Sequence, residues 1–234
     1  MMENYSLSIS GAIGTGWEYA KKHGLMVAVI LLVLGVVSSI LQRLTGIDLD
    51  PSQSRALGEA IGRGDMEAVA AYGELYKASL VPTLISAVLQ ILIYTGFYNL
   101  ALGLMSGRFN SIGMNVFSLP LTVYVKFFVL EILVGIISSV SIMLCVIPAF
   151  FIIPRIVFAP IYLIDNPNAG IIESLTASWN ITKGNTLSII GLGLVFVGLW
   201  VIGLLCCCVG VLFAEAIMLF AFTAAYYQLR GNLQ

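Results

Sequence analysis

Long apolar stretches separated by short polar segments make up most of this sequence. Six stretches are long enough for bilayer-crossing helices, which need about 20 mostly apolar residues. Charges are rare inside them, as expected when a charge at the bilayer centre costs roughly 2.5–3.5 kcal/mol. The predicted spans are residues 24–42, 80–104, 120–144, 146–164, 186–206 and 209–229. The pattern therefore predicts an all-α fold, a polytopic membrane helix bundle of six transmembrane helices, with residues 1–234 forming one integral membrane domain.

The distribution of basic residues predicts the orientation of the bundle. An even number of spans places both termini on the same side, and a cytoplasmic placement puts five basic residues inside against four outside. The inside charges lie close to span ends, where they count most toward orientation. We therefore expect both termini to be cytoplasmic. The outer loop, residues 43–78, is predicted to form a short helical hairpin on the membrane surface or, alternatively, a cap that binds a partner.

The composition excludes several classes of protein. The chain is 59% hydrophobic and 10% charged, whereas globular domains are about 25% charged. A soluble enzyme would therefore lack the polar surface that it needs. The formal net charge of −1 provides no basic field for phosphates, so no nucleic-acid partner is expected.

Two segments of the chain repeat at a constant offset of 162 residues. Residues 9–25 and 171–187 each form an amphipathic pattern that ends before a span, and Trp17 and Lys21 correspond to Trp179 and Lys183. Each helix is expected to end at a glycine, Gly24 or Gly184. A weaker third copy covers residues 109–118. The repeat predicts three units, each with an amphipathic interfacial helix followed by a hairpin of two spans. The two Trp and two Lys side chains would be interfacial anchors, because indole prefers the boundary between water and acyl chains.

Short motifs between residues 147 and 190 carry a family resemblance. They are Ile147-Pro148, Asp165-Asn166-Pro167, Glu173-Ser174-Leu175, Ser178-Trp179 and Thr182-Lys183-Gly184-Asn185. The chain resembles a broad group of bacterial six-span membrane proteins, which includes the membrane domain attached to some glycerophosphodiester phosphodiesterases. The resemblance covers the last three spans well and the first three mainly by layout. It implies six helices in a bacterial inner membrane and no activity, because the metal-binding residues of that catalytic domain are missing.

The same motifs have a local interpretation. Asp165-Asn166-Pro167 is predicted to end the fourth span at the cytoplasmic surface, because the residue before a proline avoids helical angles. Asn168 or Ser174 would cap the next helix, and Glu173 would lie near its positive end. A structural role is sufficient to explain the motif.

Four charged residues lie inside the apolar stretches, and they are the candidate site residues: Lys126, Glu131, Arg155 and Glu215. Glu131 and Arg155 would lie at similar depth if the chain turns near Cys145, so an ion pair is predicted, either as a structural clasp or as a proton relay. Lys126 is expected to snorkel to the headgroups. Glu215 would bind a cation or a substrate amine, or simply reach water or a neighbouring hydroxyl group. Prolines at 148, 154 and 160 break the fourth span, which would line a cavity or form a kinked packing element.

The sequence contains no catalytic, cofactor-binding or metal-binding constellation. The four cysteines, at positions 145, 206, 207 and 208, do not match zinc spacing. A disulfide from Cys145 to one of the other three and buried free thiols are both open.

Two classes of function follow. One is a non-enzymatic membrane scaffold or partner subunit, which would bind the lipid bilayer and either another membrane protein or a second copy. The alternative is a small transporter or lipid-binding protein with a polar cavity near Glu131, Arg155 and Glu215. The sequence favours the first.

Overall fold

The computed structural model describes residues 6–44, 51–109, 114–144, 146–205 and 209–233. Within these ranges the chain forms α-helices and short 3₁₀ helices, and no strand. The α-helices are α1 (Ile9–Leu44), α2 (Pro51–Arg63), α3 (Met66–Met105), α4 (Leu121–Leu144), α5 (Val146–Ile156), α6 (Ala159–Asp165), α7 (Ile171–Ile181), α8 (Thr186–Leu205) and α9 (Val209–Leu229). The predicted all-α class is confirmed.

Six segments in the described ranges are long and apolar enough to cross a membrane. They are Ile9–Val37, Leu84–Met105, Leu121–Met143, Pro148–Asp165, Thr186–Leu205 and Gly210–Leu229. The fourth segment includes both α5 and α6. The predicted six-span bundle is confirmed, and the protein is a multi-pass membrane protein in contact with the lipid bilayer. The first segment begins at Ile9, earlier than the predicted start at residue 24.

The chain divides into two compact units, one of residues 1–30 and 91–234 and the other of residues 31–90. In the first unit α9 carries much of the core. Its fully buried side chains include Phe220, Ala221, Ala225, Tyr226 and Leu229. Helix α8 forms a hairpin with α9. A Cβ atom at Gly203 would lie 2.8 Å from the backbone of Gly210, so this close approach requires a glycine.

Small residues allow the first part of α1 to pack against α9. The Ser8 amide donates to Gln228 Oε1 at 2.9 Å, a Cβ at Gly16 would lie 2.7 Å from Ala221 Cβ, and Gly24 faces Phe213. The two helices are therefore antiparallel. Ala12 and Ala20, four residues on either side of Gly16, are both fully buried. A small residue at every fourth position gives the close approach that membrane helices use.

This packing differs from the expectation of a separate interfacial helix in the first repeat. Helix α1 runs without a break for 36 residues and passes through Gly24, where a helix end was expected. A glycine inside a helix costs only about 1 kcal/mol relative to alanine, and packing along α9 outweighs that cost. The segment from Ile9 to Gly24 consequently lies along a span.

The second repeat does contain a separate helix. Helix α7 ends at Ile181, and a turn at Gly184, whose φ is +83°, leads into α8. A separate helix before the span and a helix end next to Gly184 are both present here, and the interfacial position of α7 stays a prediction. In the third repeat the described part is a 3₁₀ helix, Met114–Phe117, and residues 110–113 lie outside the described residues.

The second unit contains the outer loop. Helix α2 begins at Pro51 and ends at Arg63. The turn of the predicted hairpin follows at Gly64, whose φ is +73°. The expected short helix after the break is the start of α3, which continues for 40 residues without interruption. Residues 45–50 lie outside the described residues, as do all four cysteines, so neither alternative for the cysteines is tested.

Candidate functional site

The loop between α6 and α7 reverses the chain at one end of the first unit. Helix α6 ends at Asp165, as predicted before Pro167, and the Asn166 amide donates to the Tyr162 carbonyl. The cap of α7 differs from the prediction: Gly170, in an extended conformation, donates its amide to Glu173 Oε2 at 3.0 Å. Glu173 lies in the first turn, as expected, because a carboxylate there both accepts this bond and faces the positive end of the helix.

The two predicted caps, Asn168 and Ser174, do not cap α7. The Ser174 hydroxyl donates to the Gly170 carbonyl at 2.9 Å, so it closes the first turn from inside the helix. Asn168 is exposed and precedes Gly170 by two residues, too early for the cap position.

Lys126 fixes this loop to α4. Its Nζ atom donates to the carbonyl oxygens of Pro167 at 3.1 Å and Ala169 at 2.9 Å. The ammonium group that was expected to reach the lipid headgroups thus contacts the backbone of this loop. Helix α4 packs against both α6 and α7, and the loop between those helices presents two carbonyl groups within reach of the lysine.

Asp165 accepts hydrogen bonds from two residues at the end of α9. The Tyr226 hydroxyl lies 2.9 Å from Asp165 Oδ2, and Arg230 Nη1 lies 3.3 Å from the same oxygen. We call Lys126, Asp165, Tyr226 and Arg230 the Asp165 network. Tyr227, beside it, carries the Arg230 guanidinium over its ring and donates to the Leu102 carbonyl. Sequence reasoning missed the last three members, because their partners are more than 60 residues apart in the chain.

The predicted ion pair between Glu131 and Arg155 is not formed. The Cζ atom of Arg155 lies 4.7 Å from the centroid of the Trp179 ring instead. The prediction rested on similar depth alone, estimated from a helical rise on either side of the turn near Cys145. Helix α5 ends one residue after Arg155, and α7 packs against α5 with Trp179 beside the guanidinium.

Ser178 holds the break between α5 and α6. Its hydroxyl donates to the Arg155 carbonyl at 2.8 Å and accepts the Phe158 amide at 3.1 Å. Prolines at 154 and 160 disturb the helical hydrogen bonds here, and in a membrane the freed groups must find partners within the protein. Ser178 supplies one acceptor and one donor, so the proline-broken span is a packing element at this point.

Two carboxylates remain in the interior of the spans. Glu131 on α4 and Glu215 on α9 are both half-buried, and no described residue donates a hydrogen bond to either one. Tyr94 and Tyr98 of α3 lie close enough to interact with the Glu215 charge, and Tyr98 also interacts with Glu131. We call these two carboxylates and two phenols, from three helices, the Glu–Tyr cluster; the phenols lie within electrostatic range of the carboxylates, and no described hydrogen bond joins them. The sequence identified the carboxylates and missed the tyrosines.

The four predicted anchors have different surroundings. Trp17 packs edge-on against Phe213 of α9. The Lys21 ammonium group lies over the Trp17 ring and forms an ion pair with Glu18. In the segment 171–187, the Arg155 guanidinium lies over the ring of Trp179, and Lys183 is exposed in the turn after α7.

In the part of the chain that the structure describes, no cluster of three or more His, Cys, Asp or Glu residues could hold a metal ion. No protein-family model, curated protein or solved structure matches the chain. Function is therefore inferred from contacts within the chain.

Proposed function

We propose that the protein is a non-enzymatic scaffold or partner subunit of the bacterial inner membrane. The observation that carries this proposal is the Asp165 network. Lys126, one of the four candidate site residues, is bonded to backbone carbonyls of the same chain. Asp165 and Arg230 likewise bond to each other and to Tyr226 or Tyr227. Charges used in this way hold helices together and are not available to a substrate.

The surface of the first unit fits the same proposal. Helix α8 exposes a row of large apolar side chains: Leu187, Leu194, Val197, Val201 and Leu205. Lipid or another membrane helix would cover such a face. Crosslinking in native membranes, followed by native mass spectrometry of the full chain, tests the proposal. We expect a second polypeptide at fixed stoichiometry, either another copy or a different membrane protein. A monomer without any bound polypeptide after crosslinking would reject it.

The proposed placement in the inner membrane rests on the family resemblance, and the cytoplasmic position of both termini rests on the basic residues near the span ends. Fusing green fluorescent protein or alkaline phosphatase to each terminus tests the orientation. We expect fluorescence and an inactive phosphatase from both fusions. Active phosphatase at either end would contradict the orientation.

The second candidate function is that of a small transporter or lipid-binding protein. The Glu–Tyr cluster favours it, because intramembrane carboxylates without an ionic partner are costly and usually face a water-filled path or a ligand. The cluster draws its residues from α3, α4 and α9, so transport would follow a polar path between these three helices.

Flux measurements in proteoliposomes test this second function. Proton- and sodium-sensitive dyes would report movement of either cation under an imposed membrane potential. We expect Glu131→Gln and Glu215→Gln to abolish any flux, whereas Glu59→Gln, on the exposed helix α2, leaves it unchanged. No flux in the wild type would exclude cation transport, and equal flux in all three variants would show that the two carboxylates take no part in it.

A further inference from the structure

The hydrogen-bonding capacity of Arg155 is unused within the described part of the protein. A guanidinium group carries five N–H donors and no acceptor. The side chain is half-buried within a candidate span. Among the described residues its guanidinium group forms no hydrogen bond or ion pair, and it lies over the ring of Trp179. The ring face stabilises the positive charge but accepts no strong hydrogen bond. An N–H donor that is left without an acceptor near the hydrocarbon region is costly.

The backbone around Arg155 is fixed independently of its side chain. Ser178 accepts the amide of Phe158 and donates to the carbonyl of Arg155 itself. Because Trp179 is the next residue on α7, the same contact positions the indole ring beside the guanidinium. The hydrogen bonds of Ser178 therefore hold the Arg155 and Trp179 side chains next to each other, and neither of these side chains takes part in them.

Arg155 also lies near the end of the first unit that carries the Asp165 network. Phe158, one turn further along the chain, has its ring centroid 6.3 Å from that of Tyr226, whose hydroxyl bonds to Asp165 at the end of the span. Helix α7 lies between two candidate spans, Pro148–Asp165 and Thr186–Leu205, and it contacts Arg155 through Ser178 and Trp179. Trp179 is 43% exposed, as expected for an indole at the boundary between water and acyl chains.

We infer that Arg155 and Trp179 bind the phosphodiester group of a phospholipid headgroup, with the exposed Lys183 as a second positive charge. A phosphate presents two oxygens in the geometry that a guanidinium binds in bidentate fashion. The indole N–H is one further donor. Lys183 lies in the turn after α7, four residues beyond Trp179 in the chain, and its side chain is exposed. This site gives the lipid-binding form of the second candidate function a defined position.

Titration of the full chain in detergent with lipid, followed by native mass spectrometry, tests the inference. The probes are phosphatidylglycerol, diacylglycerol with the same acyl chains, and inorganic phosphate. We expect phosphatidylglycerol to bind and diacylglycerol to bind at least about tenfold more weakly, since a charge-assisted pair contributes that much. Binding of inorganic phosphate in competition with the lipid would reassign the site to the free anion and overturn the lipid assignment.

Arg155→Gln should weaken phosphatidylglycerol binding about tenfold. Arg155→Lys should weaken it less, because lysine keeps the positive charge and loses only the two parallel N–H donors that bind a phosphate in bidentate fashion. Arg108→Gln is the matched control, since Arg108 is exposed and bonds only to Ser106; it should bind like the wild type. If Arg155→Gln does not give a monodisperse protein, Trp179→Leu provides the same test. Equal lipid binding by the wild type and these variants would overturn the inference.

These outcomes are separate from those for cation transport. Loss of flux in the Glu131 and Glu215 variants with unchanged lipid binding in the Arg155 variant would sustain transport and remove the lipid site. Loss of lipid binding in the Arg155 variant, without any cation flux, would sustain the lipid site alone.

Discussion

The hydroxyl group of Ser178 lies 2.8 Å from the carbonyl oxygen of Arg155, and it also accepts the amide of Phe158. One side chain of α7 therefore satisfies two backbone groups at the break between α5 and α6. Ser178 and Phe158 are both fully buried, so water does not replace these bonds. This contact joins the proline-broken fourth span to α7.

We expect Ser178→Ala to destabilise the protein by about 1–3 kcal/mol, because the buried Phe158 amide then has no acceptor. Thermal unfolding in detergent, followed by tryptophan fluorescence, measures the change. Thr176→Ala is the control, since this hydroxyl is exposed and bonds only to the carbonyl of Ile172 in its own helix. An unfolding midpoint of Ser178→Ala equal to that of the control would show that the break does not depend on this hydroxyl.

The position of Ser178 in the repeat corresponds to Gly16. At the offset of 162 residues, the small residues of α1 are replaced by hydroxyl residues: Ala12, Gly16, Ala20 and Gly24 correspond to Ser174, Ser178, Thr182 and Thr186. The first set allows α1 to lie directly against α9, and the second set supplies hydrogen bonds around α7. The aligned positions thus serve steric packing in α1 and polar bonding around α7.

We expect Gly16→Val to destabilise the bundle, by about 1–3 kcal/mol for overpacking. A Cβ at this position would lie 2.7 Å from Ala221 Cβ and 2.9 Å from the carbonyl oxygen of Ile217, and the backbone atom cannot move away cheaply. Gly14→Ala is the matched control, because nothing lies within 4 Å of its Cβ position; it should stabilise the helix by about 0.5–1 kcal/mol. Equal thermal midpoints for the two variants would contradict the antiparallel packing of α1 on α9.

Features that depend on local sequence were predictable. Charge-free runs predicted the six spans, and the Asp165-Asn166-Pro167 motif predicted the end of α6. These signals lie within the segments that they describe. The continuity of α1 through Gly24 was not predictable in the same way, because a glycine is only weakly unfavourable in a helix and the deciding contact is with α9, almost 200 residues away.

The polar contacts were less predictable than the helices. Lys126 bonds to two backbone carbonyls, and every residue carries a carbonyl, so no side-chain pattern marks these partners. Arg155 was predicted to pair with Glu131 because their charges are opposite, whereas in the structure its guanidinium lies over the ring of Trp179. One signal was present: hydroxyl residues recur every four residues at positions 174, 178 and 182, and this spacing indicates a polar face.

Lys126→Met should loosen the loop between α6 and α7. Both hydrogen bonds from the ammonium group are lost, and hydrogen bonds to charged groups contribute about 1.5–3 kcal/mol. Hydrogen–deuterium exchange of residues 166–174 should become faster, while exchange in α8 stays unchanged. Lys22→Met, an exposed lysine of α1, should alter neither region. Unchanged exchange in the loop of the Lys126 variant would show that the two bonds do not restrain it.

A double-mutant cycle measures the bond between Asp165 and Tyr226. Tyr226 is only 1% exposed, so Tyr226→Phe and Asp165→Asn should be coupled by about 0.5–3 kcal/mol, the range found for residues in direct contact. Tyr124→Phe is the control: its hydroxyl donates to the Phe117 carbonyl, away from Asp165, and its effect should add to that of Asp165→Asn. Additive effects for Tyr226→Phe as well would mean that Arg230 alone stabilises Asp165. Coupling confined to the Tyr226 pair would instead assign the closure of this end of the bundle to a buried phenol, because Arg230 is half exposed and surface ion pairs contribute little.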